Sequence, residues 1–354
     1  MGIAAQAYSL RQGGAPLERR AFPLPDPGPG EAIVEVLACG LCHTDLSYAS
    51  GAVAPKHALP LVLGHEIVGH VTAVGEGVRL ALGTPVLVPA VLPCGACALC
   101  RMGRGNACAD QKMPGNDIDG GFASHVLLPA APLVSLAALP KDFDLRLLSV
   151  VADAVSTAYQ AVRRASVGPG SLVATVGAGG VGGFIAQIAK ALGARVVACD
   201  VKADRLAMVA RHGADHTIDV SSKDPSAVRK ELRGLAKQWG LGSERLAIFE
   251  SSGTAAGQLL AFGLVERAAK LAVVGYTPEK IAVRLSNLMA FDAELFGTWG
   301  CPPDAYPAVL GLLIEGRIVI DPFVDFAPMS ELNDLLQAMQ EHRLDKRMIL
   351  DPKA

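Results

Sequence analysis

Cys94, Cys97, Cys100 and Cys108 stand close together, in the spacing C-x2-C-x2-C-x7-C. Four thiolates in one short loop suit a closed tetrahedral zinc, with no coordination position left for chemistry. Iron–sulfur clusters also take four cysteines, but in other spacings. Upstream, Cys42-His43-Thr44-Asp45 and Gly64-His65-Glu66 bring a thiol, imidazoles and carboxylates into two short motifs. A Cys, a His and a carboxylate can make a catalytic zinc site with one open position. Two plainer readings compete there. Taken alone, His65 is more often a satisfied core histidine than a ligand. Cys42 could pair with Cys39 as a redox C-x2-C, although no thioredoxin-like βαβ pattern surrounds that pair. A third constellation is Gly177-Ala178-Gly179-Gly180-Val181-Gly182, a G-x-G-x-x-G with Asp200 placed 18 residues beyond its last glycine.

With 38 glycines in the chain, the third motif carries weight only through its setting. An apolar strand expected at 172–176 leads into it, an apolar helix at 184–192 follows, and a second strand at 195–199 ends beside Asp200. In such a βαβ unit the glycines let the backbone approach a pyrophosphate at the helix N-terminus. Asp200 then accepts both ribose hydroxyls of NAD and repels a 2′-phosphate, while Lys202 and Arg205 soften that repulsion. The plain alternative is a glycine-rich turn with a surface Asp.

The elements that must position these groups fall into two kinds. Up to about residue 150 the chain reads as short strands punctuated by Gly and Pro, at 32–38, 67–74, 85–91 and 123–128. From about residue 171 apolar strands alternate with helices. Strands are expected at 172–176, 195–199, 246–250 and 270–274, and helices at 225–239 and 255–267. That alternation indicates a parallel sheet covered on both faces. The tail suggests helices at 305–315 and 330–342 and a strand at 347–350.

Composition narrows the function classes. The 354 residues are 51% hydrophobic and 19% charged, which excludes a disordered chain. The net charge of −2 gives no basic excess for nucleic acid or for a polybasic membrane contact. Mean hydropathy is +0.35, and residues 80–100 and 120–140 lack Lys, Arg, Asp and Glu. Three prolines in each argue against membrane helices and for buried strands and loops. No basic segment followed by an apolar core opens the chain, so the expected location is cytoplasmic, where clustered cysteines bind metal rather than form disulfides.

Taken together, the two upstream motifs, Gly69, the four-cysteine segment and the later glycine fingerprint resemble the zinc-dependent medium-chain alcohol dehydrogenases along the full chain. The resemblance implies an α/β fold: a GroES-like β-rich catalytic domain at 1–154 and 300–354, with a Rossmann doubly wound parallel-sheet domain at 155–299. It implies an NAD-dependent dehydrogenase with two zinc ions per chain, one catalytic and one structural, acting as a homodimer or homotetramer. Cys42 and His65 fall on catalytic zinc ligands, and Glu66 on a carboxylate that can exchange onto the zinc. Asp153 takes the third protein-ligand position, usually a Cys or an acid, and makes the site more oxygen-rich.

Thr44 is implied to receive the alcohol proton. His43 stands where many relatives carry an Arg that meets the pyrophosphate. Ser47 stands where some carry a His that ends the proton relay. The nicotinamide carboxamide is implied to lie against the backbone near Val274, Tyr276, Gly297 and Trp299; core packing is the plain alternative for Trp299. Segments 111–117, 120–125, 150–155, 284–293 and 299–301 resemble the branch of the family that oxidises cyclic hydroxy-enoyl-CoA thioesters in anaerobic aromatic degradation. Another secondary alcohol or a polyol is the competing substrate. A nucleotide-binding regulator that has lost catalysis is the competing class, and Cys42, His65, Asp153 and Thr44 speak against it.

Overall fold

The computed structural model describes residues 3–140 and 142–353. The chain forms two units. The first comprises Met1–Asp153, Gly300–Pro307 and Val324–Ala354; the second comprises Ala154–Trp299 and Ala308–Phe323.

The first unit is built on a mostly antiparallel sheet. Its order is Val324–Pro328, Arg347–Asp351, Glu31–Gly40, Glu66–Val74, Pro85–Val88 and Val134–Ser135, and His125–Pro129 pairs with Glu31–Gly40 off that path. Ile33, Val34 and Val36 suit the pleat of the central strand, and all three are buried. A smaller sheet of Glu18–Pro23, Ala4–Leu10 and Leu61–Val62 lies in the same unit. Leu61, Leu63, Ile67, Val86, Leu92 and Phe122 join one continuous core.

Register sets the geometry of this unit. Gly40 pairs with Glu66 across one ladder, and Ile349 pairs with Gly40 across the next. Cys42 and His65, each just past those paired residues, therefore emerge at one end of the sheet. Gly40 has a specific task there. A Cβ on it would come within 2.0 Å of Glu66 Oε2, so only glycine leaves room for the carboxylate.

The second unit is a six-stranded, all-parallel sheet. The order is His216–Asp219, Arg195–Asp200, Leu172–Val176, Leu246–Glu250, Lys270–Val273 and Glu294–Gly297. Leu172–Val176 and Leu246–Glu250 are buried at every residue, as strands covered on both faces must be. Strand order reverses between these two, the switch point at which doubly wound sheets open a crevice at their carboxyl ends. Helix Pro225–Gln238 starts where Asp224 accepts from the Ser226 and Ala227 N–H groups, with Pro in its first turn.

Several expectations shift. The helix expected at 255–267 is Ala255–Gly263: Leu264 and Val265 bury themselves in the turn that follows, and Ala268 adopts a left-handed φ of 58°. The one expected at 305–315 is Tyr306–Ile314, preceded by a 3-10 turn at Pro303–Ala305. Residues 308–323, expected in the β-rich domain, belong to the second unit. The Phe323 ring packs on Phe184 with centroids 5.5 Å apart, and Gln187 clasps Val319 through two hydrogen bonds of 3.1 and 2.8 Å. The apolar stretches 80–100 and 120–140 hold short strands and loops, and among the described residues no helix is long and apolar enough to cross a membrane.

Candidate functional site

Ligand atoms of Cys42, His65, Glu66 and Asp153 all lie within 4.8 Å of one another in the first unit. Cys42 caps the short helix His43–Ala49, and Asp45 returns from that helix to accept the Cys42 N–H at 3.0 Å. Asp45 is fully buried, also accepts from Gly64 N at 3.1 Å, and sits 3.3 Å from His65 Nδ1. His65 Nε2 lies 3.5 Å from Asp153 Oδ2, and Cys42 Sγ lies 3.8 Å from that same oxygen. His65 is 1% exposed, and neither ring nitrogen makes a contact of hydrogen-bond geometry. A buried imidazole left in that state, facing a thiol and a carboxylate, fits a metal ligand whose other nitrogen is oriented by an outer carboxylate. Burial disfavours the imidazolium, but the Asp45 carboxylate and the Cys42 sulfur outweigh it and push the His65 pKa up. A cation on these atoms would expel that proton. A satisfied core histidine would hold its partners closer and in hydrogen-bond geometry, whereas here the facing carboxylate oxygens stand 3.3 and 3.5 Å away.

Asp153 arrives by a separate route. The 3-10 helix Leu145–Ala152 ends at it, and the Ala152 carbonyl is held by Ala90 N at 3.1 Å and by the fully buried Tyr306 hydroxyl at 2.6 Å. Behind the cluster, Arg347 donates through Nε to Glu66 Oε2 at 2.9 Å and through Nη2 to Oε1. Both side chains are buried, at 7% and 0% exposure. Burial pushes the Glu66 carboxyl up, and Arg347 pulls it back. Asp45, Tyr306 and Arg347 brace the cluster, and the sequence analysis assigned none of them a role. Asp45 had a signal, its place in the Cys42–Asp45 motif; Tyr306 and Arg347 had none.

Thr44 Oγ1 lies 3.7 Å from Cys42 Sγ. Ser47 is not drawn into the cluster; its hydroxyl donates to the His43 carbonyl at 3.0 Å. His43 is exposed. Cys39 is fully buried with its Sγ 3.6 Å from the Gly40 carbonyl, and both Cys39 and Cys42 are free, so the redox pair is not formed.

The second cysteine cluster closes on itself. The pairs Cys94–Cys108, Cys97–Cys100, Cys97–Cys108 and Cys94–Cys100 have Sγ separations of 3.4, 3.5, 3.7 and 4.0 Å. A tetrahedron with zinc–sulfur bonds of about 2.3 Å needs sulfurs about 3.8 Å apart. Backbone N–H groups draw Cys97 down to about 6 and lower Cys94, whereas burial pushes Cys100 up to about 12 and raises Cys108, so without a metal the four thiols do not all ionise together.

In the second unit, Gly177 to Gly182 turn from the Leu172–Val176 strand into the helix Gly180–Ala191. A Cβ at Gly182 would meet the Gly177 carbonyl at 1.8 Å, so the turn closes only around glycine. The buried Asp200 accepts from Ala178 N at 2.7 Å, Val201 N at 2.8 Å and Lys202 N at 2.9 Å. Its carboxylate thus buttresses the glycine turn. The Arg205 guanidinium lies 3.5 Å from where a Gly179 Cβ would be, and its buried Nε lacks a partner. These features fit a dinucleotide pyrophosphate over the turn. Val181 lies in the helix's first turn. Val274 follows the Lys270–Val273 strand and Gly297 ends the Glu294–Gly297 strand. Tyr276 and Trp299 are 61% and 47% exposed, so core packing does not explain Trp299.

Comparison with known proteins agrees with both units. Residues 28–138 match the alcohol dehydrogenase GroES-like domain, and residues 180–315 match the zinc-binding dehydrogenase family. An alcohol dehydrogenase of Geobacillus stearothermophilus is 30% identical over 348 residues, covering 98% of this chain and 99% of the relative. The alcohol dehydrogenase structure from Aeropyrum pernix superposes with a TM-score of 0.88 at 30% identity, covering 98% of this chain and 100% of that one. A cobalt- and zinc-bound alcohol dehydrogenase of Pyrobaculum aerophilum gives 0.84 at 25% identity, covering 99% and 100%. With a GroES-like unit, a Rossmann unit, two clusters able to hold zinc and this likeness over nearly its whole length, the chain belongs to the zinc-dependent medium-chain alcohol dehydrogenases, nicotinamide-linked oxidoreductases.

Proposed function

We propose that this dehydrogenase oxidises 6-hydroxycyclohex-1-ene-1-carbonyl-CoA to the 6-oxo thioester with NAD, in the cytoplasm and as a homo-oligomer, with Cys42, His65 and Asp153 holding the catalytic zinc. The convergence of these three side chains around an orphaned imidazole carries the assignment of the centre. Cys94, Cys97, Cys100 and Cys108 hold the structural zinc. The substrate rests on the sequence likeness of 111–117 and 284–293.

When bound, zinc polarises the alcohol oxygen and the nicotinamide accepts the hydride. The chain's own groups do the rest. Thr44, whose hydroxyl lies 3.7 Å from Cys42 Sγ, accepts the alcohol proton in this reading. The Ser47 hydroxyl donates a hydrogen bond to the His43 carbonyl, which favours a relay leaving Thr44 by another route. Arg347 keeps Glu66 behind the three ligands and gives it a place from which to approach the metal. Asp200 takes the adenosine ribose and disfavours a 2′-phosphate, and Arg205, beside Gly179, faces the pyrophosphate. Val274, Tyr276, Gly297 and Trp299 receive the nicotinamide.

The chemistry suits the pairing. The ring hydroxyl is a secondary alcohol one carbon from the alkene, so its oxidation yields a conjugated enone. The CoA arm, remote from the reacting carbon, supplies binding energy that orients the ring. The test is kcat/KM with NAD for the cyclic hydroxy-enoyl-CoA against the free hydroxy acid, simple secondary alcohols and polyols. A preference for the thioester of at least a hundredfold is expected. Equal values would remove CoA recognition and leave a general secondary-alcohol dehydrogenase, the reading favoured by the relatives named simply alcohol dehydrogenase. Thr44→Ala is expected to lower kcat far more than thioester affinity.

A further inference from the structure

Glu250 ends the Leu246–Glu250 strand, next to the strand that enters the glycine turn, and it is fully buried. Three donors converge on its Oε1: Ser252 N at 2.9 Å, Ser252 Oγ at 2.6 Å and Gly253 N at 3.1 Å. Its Oε2 has no hydrogen-bond partner. No Lys or Arg pairs with the carboxylate among the described residues. The Glu250 backbone carbonyl accepts from Val274 N at 2.8 Å and Gly275 N at 2.9 Å. One residue therefore ties the 251–253 turn to the 274–276 turn. A Cβ on Gly275 would come within 2.9 Å of Glu250 Oε2 and 2.4 Å of Gly253 N, so the unpaired oxygen lies directly against the second turn. Tyr276, exposed, continues that turn outward.

A buried carboxylate with one oxygen unsatisfied and no cation beside it costs the free protein, so a counter-charge arriving with a ligand would relieve it. The oxidised nicotinamide ring is cationic and the reduced ring is neutral. We propose that Glu250 is a charge-tuning residue that stabilises the oxidised nicotinamide relative to the reduced one from behind the 274–276 turn. This rests on the reading that the nicotinamide lies against Val274 and Tyr276. It goes beyond that reading by assigning redox bias to a residue that does not touch the cofactor.

The test is equilibrium binding of NAD+ and of NADH to metal-loaded native protein, Glu250→Gln and Glu250→Asp. Gln keeps an oxygen for the three donors and removes the charge. It should raise the ratio Kd(NAD+)/Kd(NADH) by up to about tenfold, the order expected when one unit charge acts on another through the protein at an effective dielectric constant of about 20. Asp keeps the charge and loses the clamp; it should weaken both cofactors and leave the ratio within about twofold of native. A structural role alone would move both affinities together. Equal weakening by Gln, or a ratio shift in Asp as large as that in Gln, overturns the proposal, and either variant suffices for that. Native protein that bound neither cofactor would instead remove the nucleotide reading, and this proposal with it.

Discussion

Arg347→Met should destabilise the first unit by about 3–5 kcal/mol, the usual effect of removing one partner from a buried, hydrogen-bonded ion pair. Arg347 reaches Glu66 Oε2 at 2.9 Å through Nε and Oε1 through Nη2, with both side chains buried. Unit charges about 3 Å apart at an effective dielectric constant of about 20 attract by about 5 kcal/mol. Desolvation offsets most of that in the intact pair, so the pair's net value is small while breaking it is costly. The double variant Arg347→Met/Glu66→Gln should therefore recover to within about 2 kcal/mol of native. The pH dependence has a definite sign. Without Arg347, burial and then the Asp153 carboxylate raise the folded pKa of Glu66 above the unfolded value of about 4.3, against a smaller opposing pull from His65. A group shifted up contributes stability below its unfolded pKa and loses it as pH rises through the folded pKa. The single variant's deficit should thus widen from acid towards neutral pH. Calorimetry of metal-free protein is the suitable assay, because Trp239 and Trp299 both lie in the second unit and their fluorescence would report the wrong part. A loss below about 1 kcal/mol in the single variant, or a double variant no better than it, would refute the reasoning.

Elemental analysis of fully loaded protein should find two zinc ions per chain; one zinc, or labile iron, would contradict the two-site assignment. Cys97→Ser should lower thermal stability, since that ion crosslinks the 94–108 segment, whereas Asp153→Asn should lower activity or catalytic-zinc occupancy with little change in melting; similar global unfolding in both would refute the division. Asp200→Asn should narrow the preference for NAD over NADP while keeping an acceptor for Ala178 N, whereas Asp200→Ala also orphans backbone donors and should cost about 1–3 kcal/mol more; a native preference for NADP in coupled assays would overturn the ribose reading.

How much the sequence showed depended on how local each feature is. The four cysteines fall within one loop, so their spacing alone indicates a closed metal site, and the observed sulfur separations suit it. The strand at Leu172–Val176 leads into the glycine turn, and strand–helix alternation after residue 171 reflects a sheet buried on both faces. These patterns arise from periodicity and turn chemistry acting over a few residues, which a linear sequence displays directly.

Pairing and direction are different in kind, because they depend on which surfaces meet. Asp153 meets Cys42 across 111 residues, and Arg347 meets Glu66 across 281. Both encounters follow from ladder register, Gly40 against Glu66 and Ile349 against Gly40, and from the Tyr306 hydroxyl on the Ala152 carbonyl. Arg347 reads in sequence only as the first residue of a short strand, with nothing to mark its partner. Only the tertiary structure turns it inward, where the buried Glu66 carboxylate beside the candidate metal ligands is faced by its cation. Helix 306–314 likewise reads as a continuous helix in sequence, while the passage of 308–323 into the second unit is decided by Phe323 against Phe184 and Gln187 against Val319. Residue types and spacing determined the chemistry available to this chain. The tertiary structure decided which buried charges face one another, since desolvation makes each intolerable until its partner arrives from a distant segment.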